Sequence, residues 1–177
     1  MPVIPRPDPA EYATYQRRYV DAVPDGDILQ TLRRQADETA RLFGGLDETR
    51  ARRPYAPGKW SPKEVLGHVI DTERVFAYRA MRFARGDRTP LPGFEQDDYI
   101  KPGAFDARAI GDLVDEFTAV RAASLALFSG LPADAVGATG VANENPMSVR
   151  AIVWVVAGHE RHHVTIMREK YLMQGGS

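Results

Sequence analysis

Ser61-Pro62-Lys63-Glu64-Val65-Leu66-Gly67-His68-Val69 contains the strongest helix start in the chain. A serine followed three residues later by a glutamate forms a capping box, and a proline at the first helical position has no N–H to leave unpaired. Val65, Val69, Phe76, Ala80 and Phe83 then recur at helical spacing before Gly86, which predicts a long amphipathic helix. Three more such segments lie on either side. Asp27 to about Phe43 carries Ile28, Leu29, Leu32, Ala36, Leu42 and Phe43 and stops at Gly44-Gly45. Asp106 to Ser129 carries Ile110, Leu113, Val114, Phe117, Val120, Leu127 and Phe128 and is closed by Gly130, and a fourth segment starts at Ser148 and runs to about Leu172. Four amphipathic helices with no period-2 strand pattern between them predict an all-α four-helix bundle.

A shorter helix is expected before the bundle. Asp8-Pro9-Ala10-Glu11 has a capping residue, a first-turn proline and an acid at the third position. The helix that follows would place Tyr12, Tyr15 and Tyr19 on one face and end before Pro24. Two connections, Arg85 to Phe105 and Leu131 to Met147, are longer than simple bundle turns, and loops of that length often form lids or pocket walls. No internal repeat or linker interrupts the chain. One domain over residues 1–177 is expected, with residues 1–25 as an N-terminal extension packing on the bundle.

Composition narrows the range of functions. The 177 residues hold 23 Lys and Arg against 24 Asp and Glu, a formal charge of −1, so the positive field that phosphate-backbone binding needs is missing and nucleic acid is not an expected partner. There is no cysteine, which rules out disulfides, thiolate metal ligands and a cysteine nucleophile. Met1 to Asp8 contains several prolines and no apolar segment after a basic start, and no apolar run approaches membrane-spanning length. A cytoplasmic protein without a membrane partner is the expectation.

Three of the four histidines fall within His159-Glu160-Arg161-His162-His163. On a helix, positions four apart differ by only about 40° around the axis, so His159 and His163 point the same way. They share the stripe of Ile152, Val155, Val156 and Ile166, which must face the core. A single histidine on such a face is best read as a core residue satisfied by hydrogen bonds. Two in register need two buried partners, and a third, His68, stands on the shoulder of the second helix's stripe. His68, His159 and His163 are therefore the candidate ligands of one divalent metal. Zinc is favoured, although imidazole also suits nickel, iron and copper. Three imidazoles leave at least one coordination position open for water or substrate. His162, turned about 100° from His163, is assigned to the helix flank.

The same segment matches the H-E-x-x-H pattern of zinc proteases. Nothing after His163 completes the H-x-x-G-x-x-H extension, and no strand is expected beside the helix to align a peptide, so that reading is set aside. Glu160 is retained as a candidate catalytic acid or base. Asp71 and Glu73 lie near His68 in sequence, but their helical-wheel positions differ from it and a charge between helices or facing solvent is expected of both. Arg79 follows His68 by three turns on nearly the same line and is a candidate for an anionic substrate group or a surface ion pair. Asn143, Asn145 and Tyr99 stand in the long loops as pocket candidates, and Trp60 reads as a packing residue. Trp154 points away from the His159–His163 face, which suggests a homodimer contact there.

Leu66-Gly67-His68-Val69-Ile70-Asp71-Thr72-Glu73 after Trp60-Ser61, together with Gly158-His159-Glu160-Arg161-His162-His163, resembles the DinB-like superfamily, which includes the YfiT-type metal-dependent hydrolases. Val23-Pro24-Asp25-Gly26-Asp27, Leu91-Pro92-Gly93-Phe94 and Met147-Ser148-Val149-Arg150 fit the same pattern in order and spacing, so the likeness covers nearly the whole chain. The resemblance implies a four-helix bundle whose metal is held by one histidine of the second helix and two, four apart, of the last. These map onto His68, His159 and His163. It implies two activities on a small-molecule substrate: hydrolysis by a metal-activated water, or S-transfer from a low-molecular-weight thiol cosubstrate such as bacillithiol or mycothiol. A non-catalytic metal-binding module is the third alternative.

Overall fold

In the computed structural model, which describes residues 2–172, the Ser61 hydroxyl accepts from Glu64 N–H at 3.1 Å, and the Glu64 carboxylate accepts from Ser61 N–H at 2.8 Å. The capping box is formed, and it starts a helix at Pro62. In chain order the helices are α1 (Arg17–Ala22), α2 (Ile28–Gly44), α3 (Glu48–Ala51), α4 (Pro62–Ala84), α5 (Gln96–Gly103), α6 (Ile110–Ser129) and α7 (Val149–Ile166), and α7 continues in wider turns to Leu172. The four long helices form the expected bundle: α2 and α4 each pack against both α6 and α7.

Two apolar cores fill the bundle, one above the other. The larger holds Leu29, Leu32, Phe76, Phe83, Phe128 and the first half of α7. The smaller holds Phe43, Val65, Val69, Leu113, Phe117 and Met167. Between them every long helix places polar side chains inward: Gln35 and Thr39 on α2, His68, Thr72 and Glu73 on α4, Arg121 and Ser124 on α6, and His159 and Glu160 on α7, all buried. A polar layer so deep must satisfy its own hydrogen-bonding groups or bind something that does.

Three segments differ from the expectation, each for a local reason. After Asp8 the chain makes two short 3-10 turns, Pro9–Glu11 and Thr14–Gln16, before α1. The tyrosines consequently diverge: Tyr12 is buried, Tyr15 exposed and Tyr19 half-buried. The Asp8–Glu11 capping box does form. Glu11 also reaches across to accept from Ser148 Oγ at 2.6 Å and from Arg150 Nε at 2.7 Å, which ties this segment to the start of α7. The third long helix starts at Ile110 rather than Asp106, because Ala104 adopts a left-handed φ of 48° and a 3-10 turn over Phe105–Ala107 follows. The Leu131–Met147 connection folds into a hairpin of β1 (Thr139–Ala142) and β2 (Asn145–Ser148) around Asn143 and Glu144, with φ of 51° and 62°. Positive φ at both central residues is the two-residue turn whose twist suits a hairpin.

Trp154 corrects a further expectation. It is 1 % exposed, donates from Nε1 to Ile4 O at 3.3 Å, and lies 4.4 Å beneath the Arg6 guanidinium. The chain's own N-terminal segment covers that face of α7, so Trp154 is not available to a second copy.

Arg150 holds the Glu11 carboxyl down from the ordinary 4.5 to about 2. A group depressed in the folded state adds stability above its unfolded pKa and loses it as the pH falls through the folded value. Glu11→Gln is therefore expected to flatten the acid limb of the stability curve between about pH 5 and pH 2. Urea denaturation at stepped pH measures it, and an acid limb identical to the parent's would contradict the anchoring role.

Candidate metal centre

His68 lies in the second turn of α4, where the capping box sets the helix start, and His159 and His163 share a face of α7. Glycine precedes a ligand candidate on both helices. A Cβ at Gly67 would stand 2.4 Å from the Phe105 ring, and one at Gly158 would stand 2.0 Å from Tyr19 O. The missing side chain at Gly158 lets α1 lie against α7, which brings the Tyr19 ring edge-on to His159 at 5.4 Å between centroids. Gly158→Ala is expected to cost about 1–3 kcal/mol, because the atom in the way is backbone and cannot rotate aside. Equal denaturation midpoints for the variant and the parent would show that the approach is not close.

The three imidazoles converge. His68 Nε2 lies 2.9 Å from His159 Nε2, and His163 Nε2 lies 3.2 Å from the same atom. The three residues form a group whose ligand atoms all lie within 4.8 Å of one another. No carboxylate of the described residues joins it. Burial pushes His68 down to about 4 and His163 to about 3, and lowers His159 well below its ordinary value, with the neighbouring imidazoles adding to the effect on His163 and His159. All three are neutral near pH 7, the state in which imidazole donates a lone pair to a metal.

Hydrogen bonding within the trio does not satisfy it. An imidazole nitrogen carries either one proton or one lone pair. His159 Nε2 therefore has one bond to give, yet two other ring nitrogens lie beside it. A cation among three lone pairs would engage all of them. Nitrogens bonded at about 2.0–2.1 Å to one tetrahedral ion lie about 3.3 Å apart, close to the two separations found. Three neutral imidazoles fit a zinc-like divalent ion in kind, and two of their three separations fit it in distance. With Nε2 as ligand atom, His68 would carry its proton at Nδ1, with Thr72 Oγ1 at 3.4 Å to accept it. The Trp60 ring leans on His68 at 4.9 Å between centroids.

A cavity of about 260 Å³ opens from His68 and His159 and continues past Thr72, Phe76, Arg79 and Phe94. A larger cleft of about 340 Å³, walled by Arg50, Arg53, Tyr55 and Tyr171, includes none of the histidines. His162 is half-buried, faces Tyr19 and stands outside the ligand group. Asn143 lines the cavity, whereas Asn145 instead donates to Asn143 O and Tyr99 packs on Phe94.

Glu160 points elsewhere. Its carboxylate accepts from Arg121 Nη2 at 2.6 Å and from Thr39 Oγ1 at 2.6 Å, and burial raises its pKa against the pull of Arg121. Arg121 also makes a fork of two 2.8 Å bonds to Glu73 and donates to Leu32 O at 3.0 Å. One guanidinium on α6 thus joins α2, α4 and α7, meeting α7 at the residue next to His159. Asp71 is half-buried and lies 3.7 Å from Arg74.

Fold and site together define a four-helix bundle with a largely buried three-histidine centre capable of holding a metal. Residues 31–167 match the DinB superfamily, and the chain belongs to it. The fold is similar to that of YfiT from Bacillus subtilis, described as a probable metal-dependent hydrolase with an unusual four-helix bundle topology. The TM-score is 0.73 at 12 % identity, over 97 % of this chain and 94 % of that one. No curated protein matches the sequence. Among the described residues, no helix is long and apolar enough to cross a membrane.

Proposed function

We propose that His68, His159 and His163 hold one divalent transition metal, zinc or nickel, through their Nε2 atoms, and that the protein is a metal-dependent hydrolase of a small molecule. The observation that carries this reading is that His159 Nε2, which can make one bond, lies against two other ring nitrogens at 2.9 and 3.2 Å. The description of YfiT supports the same activity. A bound ion would supply a Lewis acid and a water whose pKa falls towards about 7.

The chain's own groups do the rest. Thr72 orients His68, and Gly67 and Gly158 let Phe105 and Tyr19 close against the ligand helices. Phe76 and Phe94 wall the cavity against bulk water. Glu160 acts as a positioning residue in this reading: its carboxylate is held by Arg121 and Thr39, which fixes the α7 turn that carries His159 and His163.

Assay of the metal-loaded protein on a panel of small esters and amides, with and without a low-molecular-weight thiol, tests the activity. Turnover without thiol, lost in His159→Ala, is the expected result. Turnover that starts only when thiol is added would replace hydrolysis with thiol transfer.

A further inference from the structure

The face of α4 that begins at His68 continues through Thr72, Phe76 and Arg79, and all four side chains line the cavity. At 1.5 Å per residue, about 16 Å of helix separates the first Cα from the last. Arg79 is 5 % exposed. Of the five N–H donors on a guanidinium, it uses one at Nη2, to Pro92 O at 2.8 Å. Its flanks are apolar: the Phe76 ring centroid lies 5.3 Å from the guanidinium carbon and that of Phe94 5.9 Å.

No carboxylate among the described residues lies within ion-pair distance of Arg79, although Glu95 and Asp97 stand exposed along the same cavity. The other buried arginine, Arg121, has two carboxylates. Burying an unpaired charge costs several kcal/mol, so buried arginines are ordinarily matched. A second under-used donor lines the same cavity. Gln16 is 4 % exposed, and its side-chain amide nitrogen has as partner the Met147 sulfur at 4.0 Å.

We propose that Arg79 receives an anionic group, a carboxylate or a phosphate, of the molecule that binds in this cavity, with Gln16 as an accessory donor. The ligand is then a small elongated acid. Its anionic end lies at Arg79, an apolar middle lies against Phe76, Phe94 and Val155, and its reacting end lies at the histidines. The position of the reacting end rests on the metal-centre reading above.

Binding calorimetry on the purified protein tests this with three probes: 4-phenylbutyrate, phenyl phosphate and the neutral 4-phenylbutyramide. At least one acid is expected to bind about tenfold or more tightly than the amide, the size of one charge-assisted contact. Which acid binds better tells carboxylate from phosphate. Arg79→Met should abolish the preference while the melting temperature stays the same or rises, because a buried unpaired charge has been removed. Arg79→Lys should keep part of the preference.

Acids and amide binding equally, no saturable binding of either acid at about 10 mM, or a preference that survives Arg79→Met would each overturn the proposal. So would a melting temperature lowered by more than about 5 °C in Arg79→Met, since that marks a structural arginine. Metal content measured on the same samples separates the two readings. Anion preference without metal sinks the metal centre alone, and metal without anion preference sinks the anion site alone.

Discussion

Arg121→Met is expected to lower the unfolding free energy by about 3–5 kcal/mol, the largest stability loss of any single substitution considered for this protein. Arg121 is fully buried and donates to Glu73, Glu160 and Leu32 O. Removing it leaves two carboxylates about 1–2 % exposed with no cation between them. The cost is that of stranded charge, not the net worth of the ion pairs, and replacing all three residues by apolar side chains should restore most of the loss. Guanidinium denaturation of the single variant and of Arg121→Met/Glu73→Leu/Glu160→Leu measures both effects. A single-variant loss below about 1 kcal/mol, the value of an exposed pair, would show that the node does not hold the helices together.

His159→Ala and His163→Ala are each expected to weaken metal binding about a hundredfold or more. A protein zinc site of four ligands is worth about 10–16 kcal/mol, or about 3 kcal/mol per ligand. His68→Ala should behave the same way, although it comes from a different helix. His162→Ala should change affinity less than about tenfold, the lower end of what a group outside the ligand set contributes. Competition with a chromophoric chelator gives the constants. Equal losses at His162 and His163 would overturn the ligand assignment, since the two rings stand side by side at 5.3 Å between centroids and only the arrangement of their nitrogens distinguishes them.

Much of the bundle was legible because its helices announce themselves at their ends and along one face. Ser61 caps as expected, and Asp27 and Ser148, where two further helices were expected to start, also cap, with side-chain oxygens accepting from the first-turn amides. The histidine trio was legible for the same reason: residues four apart on a helix share a face, and His68 is the remaining histidine. The hairpin was not, because Glu144 occupies the turn position where glycine would have signalled it. Trp154 was misplaced because a wheel drawn for one helix omits the segment that covers it. Residues from Ala151 to Glu160 are all buried, so α7 has no outward face there.

The polar layer left a signal that periodicity contained but hydrophobicity hid. On α6 the buried positions are Ile110, Leu113, Phe117, Arg121, Ser124 and Phe128, a regular stripe in which Arg121 takes a core place. Thr39 falls likewise between Leu32 and Phe43, and Glu73 between Val69 and Phe76. Scanning each stripe for the charged residue that breaks it would have found the node. Arg79 was harder to place: its line with His68 was readable, but its burial depends on the Leu91–Phe94 loop, which covers it with a ring and with the Pro92 carbonyl that accepts from Arg79 Nη2.

Three converging imidazoles are proposed here to hold a metal ion. Elemental analysis of protein purified without an affinity tag or added metal, run beside the His159→Ala/His163→Ala double variant, tests it most directly. Near one equivalent of a transition metal per chain, lost in the variant, is the predicted result. No metal in the parent protein, even after incubation with zinc or nickel, would contradict it and leave the histidines as a polar layer of the bundle alone.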